Sequence, residues 1–162
     1  MHLTHTFPIY INKDSKVLFL GSFPSVKSRE QMFYYGHPQN RFFKVLGSII
    51  HEDVHNEVND KKRFLKKYHI ALYDVIEECD IEGSADSTIR NVTPIDLKTI
   101  LMKYPNIKSI GVNGKKASSL FKKYLEKDCG GVVVYYLPST SPANAKTSLE
   151  ELIKEYSKLF QK

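Results

Sequence analysis

The sequence predicts an α/β fold of three layers, α/β/α, with a central four-stranded parallel sheet between helices. Two observations carry that prediction. Short apolar runs that read as buried strands alternate with segments whose apolar residues recur at helical spacing, the pattern of a parallel sheet covered on both faces. The 162 residues hold four such runs, and no repeat, low-complexity tract or linker composition divides them. One domain over residues 1–162 is therefore expected, long enough to bury its own core.

The first strand is residues 16–20 (KVLFL), an apolar run closed by Gly21 as a buried strand closes into a turn. After Asn40, the residues Phe42, Val45, Leu46, Ile49 and Ile50 fall on one helical face. Residues 70–73 (IALY) form the second strand. Thr93-Pro94 reads as a helix start, threonine as cap and proline in the first helical position, ahead of Leu97, Ile100 and Leu101. Residues 107–112 (IKSIGV) give the third strand and Ala117, Leu120, Phe121 and Leu125 the helix after it. The fourth strand is 132–137 (VVVYYL), and Leu149, Leu152, Ile153, Tyr156 and Leu159 close the chain as a last helix.

Composition narrows the function. Hydrophobic residues make up 41% of the chain, a globular value, and no run of about 18 apolar residues offers a membrane span. The start, MHLTHTFPIY, lacks the basic and apolar regions of a secretory signal, so a cytoplasmic monomer is expected. Cys79 and Cys129 stand far apart and read as reduced, partly buried thiols. The net charge of +6 comes from twenty lysines and four arginines against 18 acidic residues, a balance that suits a polyanionic partner.

In parallel sheets, ligands bind beyond the carboxyl ends of the strands. That rule singles out the loops at 21–25, 74–90, 113–115 and 138–144. The stretch FYYGHPQNRFF (33–43) belongs to the first crossover and sets five rings around a glycine- and proline-broken polar centre. Gly21-Ser22-Phe23-Pro24-Ser25 and Pro138-Ser139-Thr140-Ser141-Pro142 are both stiff, hydroxyl-bearing turns after strands, a pair suited to holding phosphates on either side of one nucleotide. Gly111-Val112-Asn113-Gly114-Lys115-Lys116 has two residues between its glycines and no Ser or Thr after Lys115, so it is not a phosphate loop. It remains either a plain turn or one that brings backbone N–H groups and Lys115 to a DNA phosphate. His51-Glu52-Asp53-Val54-His55 matches the letters of a zinc-protease helix, but the polar flank Asn56, Glu57, Asn59, Asp60 denies it the sustained helix that metal needs. No metal is expected there.

The blocks LFLGSFP (18–24), YYGHPQNRF (34–42) and LPSTSPAN (137–144) together resemble the uracil-DNA glycosylase superfamily, and most closely its hypoxanthine-DNA (deoxyinosine) branch. Thr6-Phe7-Pro8, Leu72-Tyr73-Asp74-Val75 and Gly83-Ser84-Ala85-Asp86-Ser87 extend the likeness over nearly the whole chain. The resemblance implies an enzyme that rotates a damaged base out of double-stranded DNA and hydrolyses its N-glycosidic bond. It implies catalysis by Asn40, stacking of the base on Tyr35, and a DNA-backbone grip from the Ser139, Thr140, Ser141 to Asn144 segment. Phe23 stands where the uracil branch carries a water-activating Asp or Asn, and Leu137 where it carries a histidine; both departures argue against efficient uracil removal. Two cysteines also cannot supply the four thiolates of the iron–sulfur branch.

The residues are consistent with that chemistry. Aromatic faces offset the cost of extruding a base. Asn40 has no titrating proton, so it acts by placing water, not by abstracting a proton. His37 is expected either to assist by donating to base or phosphate or to serve as a turn residue. Arg41 either grips a phosphate or fixes Asp74 or another carboxylate. A pocket for hypoxanthine needs a donor to O6 and an acceptor from N1–H, with the Ser84 to Asp86 loop and the backbone at Ser22 and Phe23 as candidates. Pro24, Ser25 and Lys115 join the DNA-contacting set. Neither metal nor cofactor is needed. The alternatives are activity on uracil or mismatched uracil, and a damage-binding protein without catalysis.

Overall fold

The computed structural model describes residues 1–82 and 86–161, with Asp86 placed by its backbone alone. Along the chain run β1 (His2–Thr4), β2 (Val17–Gly21), α1 (Val26–Gln31), α2 (Phe42–Ile50), α3 (Val58–Lys67), β3 (Ile70–Asp74), β4 (Ile76–Asp80), β5 (Arg90–Pro94), α4 (Leu97–Lys103), β6 (Ser109–Asn113), α5 (Lys115–Tyr124), β7 (Val133–Leu137) and α6 (Leu149–Ser157). Strands β3, β2, β6 and β7 lie in that order in one parallel sheet.

Side chains alternate between the faces of a strand, and β2 divides the core accordingly. Leu18 and Leu20 join Ala71, Ile110 and Val112 under Leu97, Leu120 and Phe121 of α4 and α5. Val17 and Phe19 join Ile70 and Leu72 under Phe42 and Leu46 of α2, Phe64 of α3, and Leu152 and Tyr156 of α6. Strands buried on both faces read as unbroken apolar runs, which is why β2, β3 and β6 were visible in the sequence; β7, at the edge of the sheet, keeps the apolar run although Val133 and Tyr136 are exposed. The expected three-layer α/β/α arrangement is the one observed.

The structure adds what periodicity did not reveal. Strands β1, β4 and β5 form a second, antiparallel sheet in the order β1-β4-β5, occupying much of the segment read as a loop after Asp74. Its strands are short, and register shifts between β4 and β5 break the alternation that would have announced them. Thr93 and Pro94 lie in β5 and start no helix; α4 is capped instead by Asp96, whose carboxylate accepts from the Thr99 N–H at 3.2 Å. Helix α3, which begins within the polar flank Asn56 to Asp60, was not foreseen, because Lys61 occupies the position that completes its buried stripe with Phe64 and Leu65. His51 caps α2 in a left-handed conformation, and Glu52 pairs with Lys67 and Arg63, so the zinc-like motif spans a helix end. Both cysteines are free and buried, and no helix among the described residues is long and apolar enough to cross a membrane.

Phe19 marks the centre of the second core half, edge-on to Phe42 with centroids 5.2 Å apart and stacked on Tyr156 at 5.9 Å. Phe19→Ala should cost about 3–5 kcal/mol in urea unfolding, the value for emptying a ring-sized core site. A loss below about 1 kcal/mol would show that the core refills around it.

Candidate active site

Because all four main strands are parallel, their carboxyl ends meet at one edge of the sheet. A cavity of about 130 Å³ opens there. It is smaller than the about 300–1,000 Å³ typical of pockets for drug-sized ligands, and its scale suits one small ring system. Gly21 to Ser25 line it from the end of β2, Tyr35 and Asn40 from the crossover, and Ser139 to Ser141 from the end of β7. Asp74 and Asn113, the last residues of β3 and β6, complete the wall.

The aromatic stretch that runs into α2 divides into a buried wall and a partly buried shelf. Phe33, Tyr34, Phe42 and Phe43 are buried. The Tyr34 hydroxyl donates to the Pro8 carbonyl at 2.9 Å, and its ring meets Phe7 edge-on at 4.7 Å. Tyr35 stacks on Phe42 at 4.0 Å, 18° from parallel, and borders the cavity. It holds a left-handed backbone (φ 56°), an uncommon conformation for a non-glycine residue that sits here at the cavity wall. Burial, then the Asp74 charge, push its phenol far above the usual range, while the Asn113 amide eases the shift. Gly36 follows because the chain passes so close to α1 that a Cβ would lie 3.0 Å from the Lys27 carbonyl and the Ser28 Cα; its N–H donates to Ser28 Oγ at 2.9 Å.

Asn40 caps α2. Its Oδ1 accepts the Phe42 N–H at 3.0 Å, and its own N–H reaches the His37 carbonyl at 2.9 Å. That contact fixes which end of the amide is oxygen. Nδ2 carries no hydrogen bond to a described residue and is the end left for a ligand. His37 borders a neighbouring groove that shares Tyr35 and Asn40, outside the base-sized cavity. Its Nδ1 accepts from the Gln39 N–H at 3.1 Å, so it also serves as a turn residue.

Arg41 pairs with no carboxylate among the described residues and turns instead to backbone carbonyls. Its two terminal nitrogens donate to the carbonyls of Thr147 (2.8 Å) and Asn144 (2.9 Å), and its backbone N–H to Thr140 (3.0 Å). One fork thus ties the serine-rich loop to the start of α2. Thr140 cannot contact DNA through its side chain as expected: it is 0% exposed, and it exchanges two hydrogen bonds with Asn113, at 2.9 and 3.1 Å. Asn144 is spent on Ser139 and Thr147. Ser139 and Ser141 hydroxyls accept from the N–H groups of Ser141 and Ala143 and keep their own hydrogens. Ser25 caps α1 through Ser28, with Pro24 beside it on the cavity wall. Lys115 starts α5 beside a separate groove with Lys122 and Tyr136, away from the cavity. Phe23 is 8% exposed and packs edge-on to the His5 ring at 6.0 Å. Ser22 lines the cavity, its carbonyl accepting from Ile76. Ser84 and the Asp86 side chain lie outside the described residues.

Three groups here escaped the sequence reading. Asp74 had been placed only as a loop start or a partner for Arg41; it is buried and takes His5 Nε2 at 2.7 Å. A carboxylate ending an apolar strand beside Gly21 was the available signal. Asn113 had been read as part of a turn, and His5, 69 residues from its partner, gave no local sign at all.

The chain matches the family model described as Uracil DNA glycosylase superfamily over residues 8–161. It is 34% identical over 143 residues to the hypoxanthine DNA glycosylase of Methanosarcina acetivorans, covering 88% of this chain and 89% of that one. The hypoxanthine DNA glycosylase of Methanosarcina barkeri is 37% identical over 113 residues, 68% of this chain and 71% of its own length. The solution NMR structure of a Methanosarcina acetivorans protein described as a uracil DNA glycosylase superposes with a TM-score of 0.81 at 31% identity, covering 99% of this chain and all of that one. A parallel sheet with its cavity at the carboxyl edge, and matches that run nearly end to end, lead to one assignment: this chain belongs to the uracil DNA glycosylase superfamily.

Proposed function

We propose that this protein is a DNA glycosylase that extrudes hypoxanthine from deoxyinosine-containing duplex DNA and hydrolyses its N-glycosidic bond. The observation that carries the reading is the shared cavity: the Tyr35 ring and the Asn40 amide border one base-sized space beside the serine-rich loop. The names of the Methanosarcina relatives supply the base.

Extrusion costs a few kcal/mol, least at a mispaired base, and stacking on Tyr35 returns about 1–3 kcal/mol. Phe42 behind Tyr35 keeps that ring from yielding. As the C1′–N9 bond breaks, its electron pair leaves with the base and the sugar becomes oxocarbenium-like. Water then adds to C1′, and the proton it sheds balances the charge of the departing base. Asn40 acts by position: Nδ2 donates to the oxygen of that water and sets it against the sugar. His37, in the adjoining groove, lies on the path of the flanking nucleotide. The hydroxyls of Ser139 and Ser141, the edge formed by Pro24 and Ser25, and the lysine-rich surface hold the backbone; Lys115 contributes from its separate groove through the field of the +6 chain. One chain completes the cavity, which favours a monomer acting as a single unit over residues 1–162. Where a uracil enzyme would have a carboxylate or amide, Phe23 presents a ring, which favours a purine over uracil.

Single-turnover cleavage of labelled duplexes carrying inosine or uracil tests the base: inosine is cut faster, and cut uracil beside intact inosine would refute the choice. Asn40→Ala should lower inosine cleavage by about 100-fold or more while salt-sensitive DNA binding persists. Equal loss of both would assign Asn40 to folding of α2 alone. Tyr35→Ala should weaken binding to inosine duplex by about 1–3 kcal/mol and leave undamaged duplex unaffected, read by competition titration.

A further inference from the structure

Resting on that reading, we propose that Asp74, held by His5, is the specificity-determining group that accepts the ring N–H of the extruded base, and so separates hypoxanthine from the adenine it derives from.

A count of hydrogens makes the argument. The His5 side chain is 2% exposed, and Asp74 is 7% exposed. His5 Nδ1 lies 2.8 Å from the Phe7 carbonyl, which can only accept, so Nδ1 carries a hydrogen. Nε2 lies 2.7 Å from Asp74 Oδ2, and one proton must bridge that contact. Whether it rests on nitrogen or on oxygen, it occupies Oδ2. Asp74 Oδ1 is therefore left without a hydrogen, an acceptor in either case. None of the hydrogen bonds among the described residues falls on it. Oδ1 sits against Gly21, where an added Cβ would stand 2.6 Å from it and 3.7 Å from the Tyr35 hydroxyl, all three groups on the cavity wall. Phe7, Phe23, Tyr34 and Tyr73 ring the imidazole at centroid distances of 4.7 to 6.0 Å and keep it from turning away.

Hypoxanthine carries N1–H where adenine carries a bare N1. An acceptor-only Oδ1 pairs with the first and faces a lone pair in the second, an unmet contact that a buried site penalises heavily. Xanthine and uracil also carry a ring N–H beside a carbonyl, so the dyad reads deamination, and the shape of the cavity selects among deaminated bases.

The groups facing Asp74 are His5 from the N-terminal segment, Tyr34 and Tyr35 from the crossover, and Tyr73 beside it on β3, with Glu77 beyond on β4. Burial first, and negative charge after it, raise all three phenols, which stay neutral in the working range. Removing the imidazole leaves Asp74 buried without a partner. With nothing occupying Oδ2, Oδ1 is no longer singled out and fixed as the acceptor that meets the base.

The test is single-turnover cleavage of duplexes carrying inosine, N1-methylinosine or adenine by the parent, His5→Leu and Asp74→Ala at neutral pH. The parent should cut inosine and spare N1-methylinosine and adenine by at least about 100-fold. His5→Leu should lose about 100-fold on inosine and narrow the inosine-to-adenine ratio. Asp74→Ala should lose inosine cleavage. A His5→Leu enzyme that keeps the parent's inosine-to-adenine ratio, or a parent that cuts N1-methylinosine as fast as inosine, would overturn the proposal; the second comparison needs no variant to fold. A parent that cuts no deaminated base refutes the glycosylase reading itself, a result distinct from either.

Discussion

The parallel register of β2 with β3 is the constraint on which the site depends. Pairing Val17 with Ile70 carries through to Gly21 opposite Asp74, so a residue without a side chain faces a carboxylate at the open edge of the sheet. A slip of one residue would turn every buried side chain of β2 to the wrong face, so the core itself enforces the pairing. Chemistry is thus located by hydrophobic alternation some distance away: Leu18 and Leu20 on one side, Val17 and Phe19 on the other. The pairing of Ser109 with Val133 fixes the other half in the same way and brings Asn113 to the start of the serine-rich turn.

Two polar devices then hold the loops at that edge. Asn113 and Thr140 exchange two buried hydrogen bonds, and Arg41 spans the Thr147 and Asn144 carbonyls. Each satisfies backbone or amide groups that would otherwise be stranded, so loosening one exposes the others. Arg41 follows Asn40 directly, and Phe42 follows Arg41. One tripeptide therefore presents the amide, anchors the far loop and backs the Tyr35 shelf. That economy accounts for the polar interruption between rings that made FYYGHPQNRFF look neither like core nor like loop.

How much of this was legible in the sequence follows burial. The four apolar strands of the parallel sheet announced themselves, three of them buried and β7 half-exposed at its edge, as did α2, α5 and α6 with their apolar stripes. The antiparallel sheet did not, because β1 is short, β4 is interrupted by register shifts and β5 is mostly polar. Helix α3 hid behind a buried lysine whose methylenes serve as core. At the site, the two serine-bearing turns were reached from residue type and position, and Tyr35 and Asn40 through the family resemblance. Asp74 and His5 were not, since their meaning lies in a contact between distant segments. Thr140 and Asn144 erred the other way: a polar loop residue looks free in sequence, and here the fold consumes both.

The central claim is that one extruded purine lies on Tyr35 with Asn40 at its glycosidic bond. The most direct measurement is a crystal structure of the protein bound to duplex DNA containing a non-hydrolysable deoxyinosine analogue. The account predicts the base outside the helix, its face on the Tyr35 ring, its N1 edge toward Asp74 and its sugar beside Asn40 Nδ2. A base still stacked in the duplex, or one lodged in another groove of the protein, would contradict it.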